Sequence, residues 1–212
     1  MKWFILLFFI SLEAFSQEKN YDSLQVTIDP EVQGTLLSPK GENQPPLAIL
    51  IAGSGPTDRD GNQAQLKNNS LKYLAEGLAQ KGIATFRYDK RVIAQINNAT
   101  VQEEKMTFED EVNDALLVVN HFKDKYKKII LIGHYEGSLI GLLVAQKVVV
   151  SKFVSISGAG NSSATLIEEQ IGKNAPQLKE ESQKIISQLR KGELVDNISP
   201  YLAPVFRKSV QP

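Results

Sequence analysis

The stretch from residue 127 to residue 141, KKIILIGHYEGSLIG, constrains the fold of this chain more than any other. Residues 129–132 form a short run of β-branched and leucine side chains, which predicts a buried strand. Gly133 and Gly137 then bracket a polar turn, and the apolar residues that follow predict one face of a helix. The spacing therefore predicts a strand, a sharp turn and a helix in direct succession, as in α/β folds.

This stretch resembles the nucleophile elbow of the α/β-hydrolase superfamily, whose pattern is Gly-x-Ser-x-Gly. In that family the serine lies on the strained turn between strand and helix and attacks the substrate. Tyr135 stands at the serine position here. A phenol has an ordinary pKa of about 10 and needs a neighbouring base to attack an ester at neutral pH. We therefore expect Tyr135 to be a non-catalytic plug or a ring that contacts a ligand.

Neither the nearest serine nor the two histidines supply the lost chemistry. Glu136 occupies the place where an elbow shifted onto Ser138 would need its first glycine, so we expect the Ser138 hydroxyl to be structural. His134 lies inside the elbow, on the wrong side of the turn by its sequence position, and His121 falls near the end of the preceding helix. We expect both to be structural or at the surface.

The segment Gly53-Ser54-Gly55-Pro56 follows a continuous apolar run and resembles the oxyanion loop of the same family. The resemblance implies that the backbone amides near Ser54 and at Glu136 form the oxyanion hole.

Residues 88–91, Tyr-Asp-Lys-Arg, resemble the family's Arg-Tyr-Asp-x-Arg-Gly-x-Gly turn, but Val92 and Ala94 stand at the glycine positions. A β-branched residue such as Val92 is strained at positive φ. We therefore expect this turn to be rebuilt, within a loop that continues to about Lys105.

Strand and helix patterns alternate along the chain. Residues 21–28 and 32–37 predict an N-terminal β-hairpin. The continuous apolar run at 47–52 predicts a strand covered on both faces, and residues 83–88 and 153–157 predict a second buried strand and one more strand. Helices are expected between these strands, one of them opened by a capping box at Thr107 and Asp110. The fold class is α/β: a mostly parallel sheet flanked by helices, resembling an incomplete α/β-hydrolase fold.

The charged stretch 162–212 predicts a segment that is helical from Leu166 to about Leu194. In the resembling family this segment corresponds to a lid; a solvated helical pair with no lid role is the alternative. The family carries its catalytic acid and histidine after later strands, and this chain ends at Pro212 before either. We expect a C-terminally truncated or decayed copy of a hydrolase. The strand at 153–157 would then be an uncovered sheet edge, which can self-associate.

Residues 1–16 have the features of a secretory signal: Lys2, an apolar run at 3–12 and the cleavage site Ala14-Phe15-Ser16. Cleavage leaves one α/β-hydrolase-like domain at 17–212, without a stable membrane anchor. We expect the protein to be secreted or periplasmic, in a bacterial envelope. The absence of cysteine excludes disulfides, a lipoprotein anchor and thiolate metal sites.

The 24 basic and 24 acidic residues are interspersed, which argues against a nucleic-acid partner. Asp58, Asp60 and Asn62 resemble the start of a calcium loop, but Gln63 replaces the required glycine and Asn69 the bidentate glutamate. We expect no metal and no cofactor. The run Asp58-Arg59-Asp60 forms either a polar network that shapes the loop or ordinary structural charge pairs.

Three functions fit these features. The chain is an inactive relative of secreted serine esterases or peptidases, a module that binds a small ester, acyl or peptide ligand between Ser54 and Tyr135, or a fragment of an active hydrolase. The fold alone does not choose the substrate class, because one fold serves many chemistries.

Overall fold

The computed structural model describes residues 19–207 and 211. The signal peptide predicted at residues 1–16 lies outside the described residues. Within the described part of the chain, none of the helices has the length and apolar character needed to span a membrane.

The described strands form one six-stranded sheet with the order β1-β2-β4-β3-β5-β6. They are β1 (Tyr21–Asp29), β2 (Val32–Pro39), β3 (Leu47–Ile51), β4 (Ala84–Tyr88), β5 (Ile129–His134) and β6 (Lys152–Ile156). The β1–β2 hairpin joins β4 antiparallel, whereas β3 to β6 run parallel to one another. The predicted hairpin and mostly parallel sheet are confirmed. In the described residues β6 is an edge strand; its self-association stays a prediction.

The α-helices are α1 (Ser70–Gln80), α2 (Arg91–Asn97), α3 (Phe108–Phe122), α4 (Glu136–Lys147), α5 (Ser163–Asn174), α6 (Lys179–Leu189) and α7 (Ala203–Phe206). The predicted capping box of α3 is confirmed: Thr107 Oγ1 accepts from the Asp110 amide at 3.2 Å, and the Asp110 carboxylate accepts from the Thr107 amide at 2.9 Å.

The sheet is covered on both faces, as its continuous apolar strands predict. One core lies between the sheet and the helices α3 and α4, and it contains Phe86 and Phe122 with ring centroids 4.8 Å apart. A second core lies against α1, where Leu71, Ala75 and Ala79 are buried. These two layers hold the carboxyl ends of β3, β4 and β5 at one edge, which is where ligands bind in open α/β sheets.

The prediction of a loop from residue 91 to about residue 105 is wrong in part, because residues 91–97 form the helix α2. The helix is held by contacts that are distant in sequence: Arg91 Nε donates to Asp114 Oδ2 at 2.8 Å, and Gln95 Nε2 donates to Glu31 Oε1 at 3.1 Å. Val92 lies in the helix and does not have a positive φ. The turn is therefore rebuilt, as expected, and the rebuilding takes the form of a helix.

The charged C-terminal segment is helical, as expected, and a 3-10 turn that begins at Pro176 separates α5 from α6. Its buried side chains form a small core of their own, separate from both faces of the sheet: Ile185, Ile186, Leu202 and Phe206. The role of this segment as a lid stays a prediction.

Candidate functional site

The turn between β5 and α4 has the backbone geometry of a nucleophile elbow. Tyr135 lies there with φ 54° and ψ −115°, a conformation that side-chain-bearing residues rarely adopt. A Cβ on Gly133 would lie 2.2 Å from the Gly137 carbonyl oxygen, and a Cβ on Gly137 would lie 2.4 Å from that of Ile51. Only glycine fits at these two positions, so this turn requires glycines at this spacing.

Ser138 has a structural role, as expected. Its side chain is buried, and its hydroxyl donates to the Gly133 carbonyl oxygen at 2.8 Å. This bond ties the first turn of α4 to the end of β5.

A cavity of about 220 Å³ lies between the loop after β3 and the elbow. Its lining combines apolar side chains with hydrogen-bonding groups, including Ser54, Gln63, Leu66, Leu71, His134 and Tyr135. The Tyr135 side chain is 50% exposed at this cavity. The expectation that His134 lies on the wrong side of the turn is wrong, because it lines the same cavity as Tyr135; it is exposed, as expected for a surface residue. Its position at the last residue of β5 was the available signal.

The loop after β3 is fixed by its own side chains. Gln63 Nε2 donates to the Ser54 carbonyl oxygen at 2.8 Å and to Thr57 Oγ1 at 2.9 Å. Asp58 Oδ1 accepts from the amides of Asp60 and Asn62 at 2.9 and 2.8 Å. The acidic run therefore works as a polar network that shapes the loop.

Two ion pairs bind this loop to the end of β4. Arg59 pairs with Asp89 through both its backbone amide, at 2.7 Å, and its guanidinium. Asp60 accepts from Arg87 Nε at 2.9 Å. Together these contacts hold the oxyanion-like loop in one position relative to the elbow.

The amides of Ser54 and Glu136 have no hydrogen-bond acceptor among the residues that the structure describes. The Glu136 amide lies in the first turn of α4, where helix geometry offers no preceding carbonyl. Free amides are what an oxyanion hole requires. The assignment of these two amides as the oxyanion hole stays a prediction.

Beneath the elbow, Lys90 joins three elements. Its side chain is 7% exposed, and its Nζ lies 2.8 Å from a Glu111 carboxylate oxygen on α3 and 3.1 Å from one of Glu136 on α4. Burial raises the pKa of Glu111, and the charge of Lys90 partly opposes that rise. The Glu136 side chain is therefore occupied by a structural ion pair.

We expect Gly137→Ala to lower the free energy of unfolding by about 2 kcal/mol or more, because the added methyl group would overlap the Ile51 carbonyl. Urea denaturation measures this change. Gly77→Ala in α1 is the matched control: a Cβ there meets no atom within 4 Å, so helix propensity should make the variant as stable as the parent or more stable. Equal stability of Gly137→Ala and the parent would contradict the elbow geometry.

We expect Lys90→Met to destabilise the fold in a pH-dependent way. Without Lys90, the folded-state pKa of Glu111 rises further above its unfolded value, so stability is lost as pH rises through that interval. The free energy of unfolding of Lys90→Met should be close to that of the parent at about pH 4 and lower by about 3 kcal/mol at about pH 8. Urea denaturation at several pH values measures it.

The control for this experiment is Lys40→Met, which removes an exposed 3.9 Å ion pair with Asp22 and should change stability little at either pH. A deficit that is equal at all pH values in Lys90→Met would show that Lys90 contributes packing alone.

No protein-family model matches the chain. Esterase EstD of Thermotoga maritima is 26% identical over 161 residues, which cover 76% of this chain and 38% of the esterase. The chain thus spans about two fifths of the length of the curated relative it matches.

Solved structures share its architecture. A dienelactone hydrolase from Anabaena variabilis superposes with a TM-score of 0.50 at 18% identity, covering 66% of this chain and 64% of the hydrolase. EstE5 superposes with a TM-score of 0.50 at 12% identity, covering 80% of this chain and 56% of EstE5. The chain therefore has the fold of the α/β-hydrolases, and its sequence is similar to that of an esterase.

Proposed function

We propose that this chain binds a small ester, acyl or peptide ligand in the elbow cavity and does not hydrolyse it by serine-dependent catalysis. The observation that carries the proposal is Tyr135, a half-exposed phenol in the strained elbow conformation at a cavity of about 220 Å³. We place this binding in the secreted or periplasmic space on the strength of the signal-like residues 1–16.

The absence of turnover follows from the groups around the elbow. Ser138 is buried and already donates its hydroxyl proton to a backbone carbonyl. His134 lines the cavity, but a triad histidine is oriented by a carboxylate, and among the described residues no carboxylate hydrogen-bonds to His134. A phenol without an oriented base is a poor nucleophile at neutral pH.

The cavity suits a small ligand with one apolar and one polar end. Leu66 and Leu71 offer apolar surface for an acyl chain. The free amide of Ser54 and the phenol of Tyr135 offer donors for a carbonyl oxygen. The volume is below the usual range for drug-sized ligands, which is about 300 Å³ and above, so the ligand should be short.

A second candidate is an active hydrolase that further sequence or a partner chain completes. It is favoured by the elbow itself, which keeps the backbone strain that positions a nucleophile. It is also favoured by EstD, of whose length this chain matches 38%. In this candidate a serine at position 135 would regain catalysis.

Tyr135→Ser separates the two candidates. We expect it to hydrolyse p-nitrophenyl acetate within about threefold of the Tyr135→Phe control, because a serine without an oriented histidine gains little over the uncatalysed reaction. The initial rate of hydrolysis, divided by the protein concentration, is compared between the two variants. A gain of about a hundredfold in Tyr135→Ser alone would overturn our proposal and support the second candidate.

Butyramide, an uncharged acyl compound that resists hydrolysis, tests binding directly. We expect it to raise the Tm of the protein, because a ligand that binds only the folded state stabilises that state. Leu66→Asn, which makes the cavity lining polar, should abolish the rise. Leu24→Asn is the control, since Leu24 is 60% exposed and lies on β1 outside the cavity. A rise that survives Leu66→Asn would place the ligand elsewhere.

A further inference from the structure

The sheet face that α1 covers is apolar at β3 and becomes polar toward the β1–β2 hairpin. The strand register places Gln25 beside Thr35, Thr35 beside Arg87, and Arg87 beside Leu50. The neighbouring row on the opposite face is apolar throughout: Leu24, Leu36, Phe86, Ile49 and Leu131. Thr35 and Arg87 are buried in this row, whereas Gln25 is exposed. Buried polar side chains lower stability unless each has a partner or serves a function. The polar row therefore needs an explanation.

Arg87 is the most demanding member of this row. It is 6% exposed, and its Nε donates to Asp60 Oδ1 at 2.9 Å. Its Nη1 is buried and has no hydrogen-bond partner among the described residues. An unpaired buried donor costs about 1–3 kcal/mol, and more on a charged group. The local ion pair with Asp60 thus leaves part of the guanidinium unsatisfied.

A cavity of about 370 Å³ lies beside this row, between the hairpin and α1. Arg87 and Arg59 line it from the sheet side, and Arg59 Nη1 also donates to Gln25 Oε1 at 2.5 Å. Lys72 and Glu76 line it from α1. Lys72 makes no ion pair within the described part of the chain, so its charge is available.

The charges of the cavity favour an anion. Four cationic side chains line it, and since Arg59 and Arg87 are paired with Asp89 and Asp60, the cations of Lys19 and Lys72 remain against the carboxylate of Glu76. Burial and the charge of Glu76 raise the pKa of the Tyr21 phenol, so Tyr21 is a neutral donor at physiological pH. The carboxylates of Asp60 and Glu76 remain as acceptors for hydroxyl groups on the same ligand.

We propose that this cavity binds a small organic oxyanion, a carboxylate or a phosphate monoester that also carries a hydroxyl group. Its cationic ligands are Lys72 and the part of the Arg87 guanidinium that lines the cavity. A guanidinium binds both oxyanions through parallel N–H donors. The site is separate from the elbow cavity, because the two cavities share no lining residue.

Isothermal titration calorimetry with glycerol 3-phosphate and with lactate tests this proposal, and glycerol is the uncharged control. We expect at least one anion to bind and glycerol not to bind. Lys72→Gln should weaken anion binding about tenfold, the loss of one hydrogen bond to a charged group. Arg87→Lys should weaken it at least as much, because lysine lacks the planar fork. The tighter anion identifies the oxyanion class.

Two controls make the result specific. Lys81→Gln removes a cation at the other end of α1, outside the cavity, and Tyr135→Phe alters the elbow cavity; neither should change the affinity. If Arg87→Lys fails to fold, Lys72→Gln alone decides. The proposal is overturned if neither anion binds, or if Lys72→Gln binds as tightly as the parent, or if Lys81→Gln weakens binding equally.

Discussion

The site depends on the close approach of three backbone segments at the elbow. Gly137 packs directly on the carbonyl ends of β3, and Gly133 packs on Gly137. This contact fixes where β3 releases the oxyanion-like loop and where α4 begins, so it also sets the distance between the loop and position 135. The flanking glycines allow the close approach of these segments, and the strained backbone conformation of the turn is kept with a tyrosine at position 135.

Ion pairs attach the loops and helices around the elbow to the sheet. Lys90 ties β4 to α3 and α4, Arg91 ties α2 to α3, and Arg59 ties the loop after β3 to the end of β4. These pairs are half-buried or buried, so each charge needs its partner. The carboxylates near the elbow are thereby used for structure: Glu136, next to the elbow tyrosine, faces Lys90 and not the cavity that Tyr135 lines.

Local patterns were enough to predict the parallel strands, the elbow and the capping box at Thr107, because each depends on residues within a few positions of one another. α2 was not predicted, since it is held by Arg91 and Gln95 through partners 23 and 64 residues away. The placement of His134 at the cavity depends on the path of the turn. The polar row at Arg87 forms when β2 pairs with β4. The register of that pairing cannot be read from the alternation of residues along either strand alone.

The hydrogen bonds of Gln63 and Asp58 within the loop after β3 have a consequence for affinity. A loop that is disordered before binding loses conformational entropy when a ligand orders it, and this loss subtracts from the binding free energy. Here the loop is already ordered by its own side chains when the chain folds. A ligand bound in the elbow cavity would therefore not incur the entropy loss of ordering this loop.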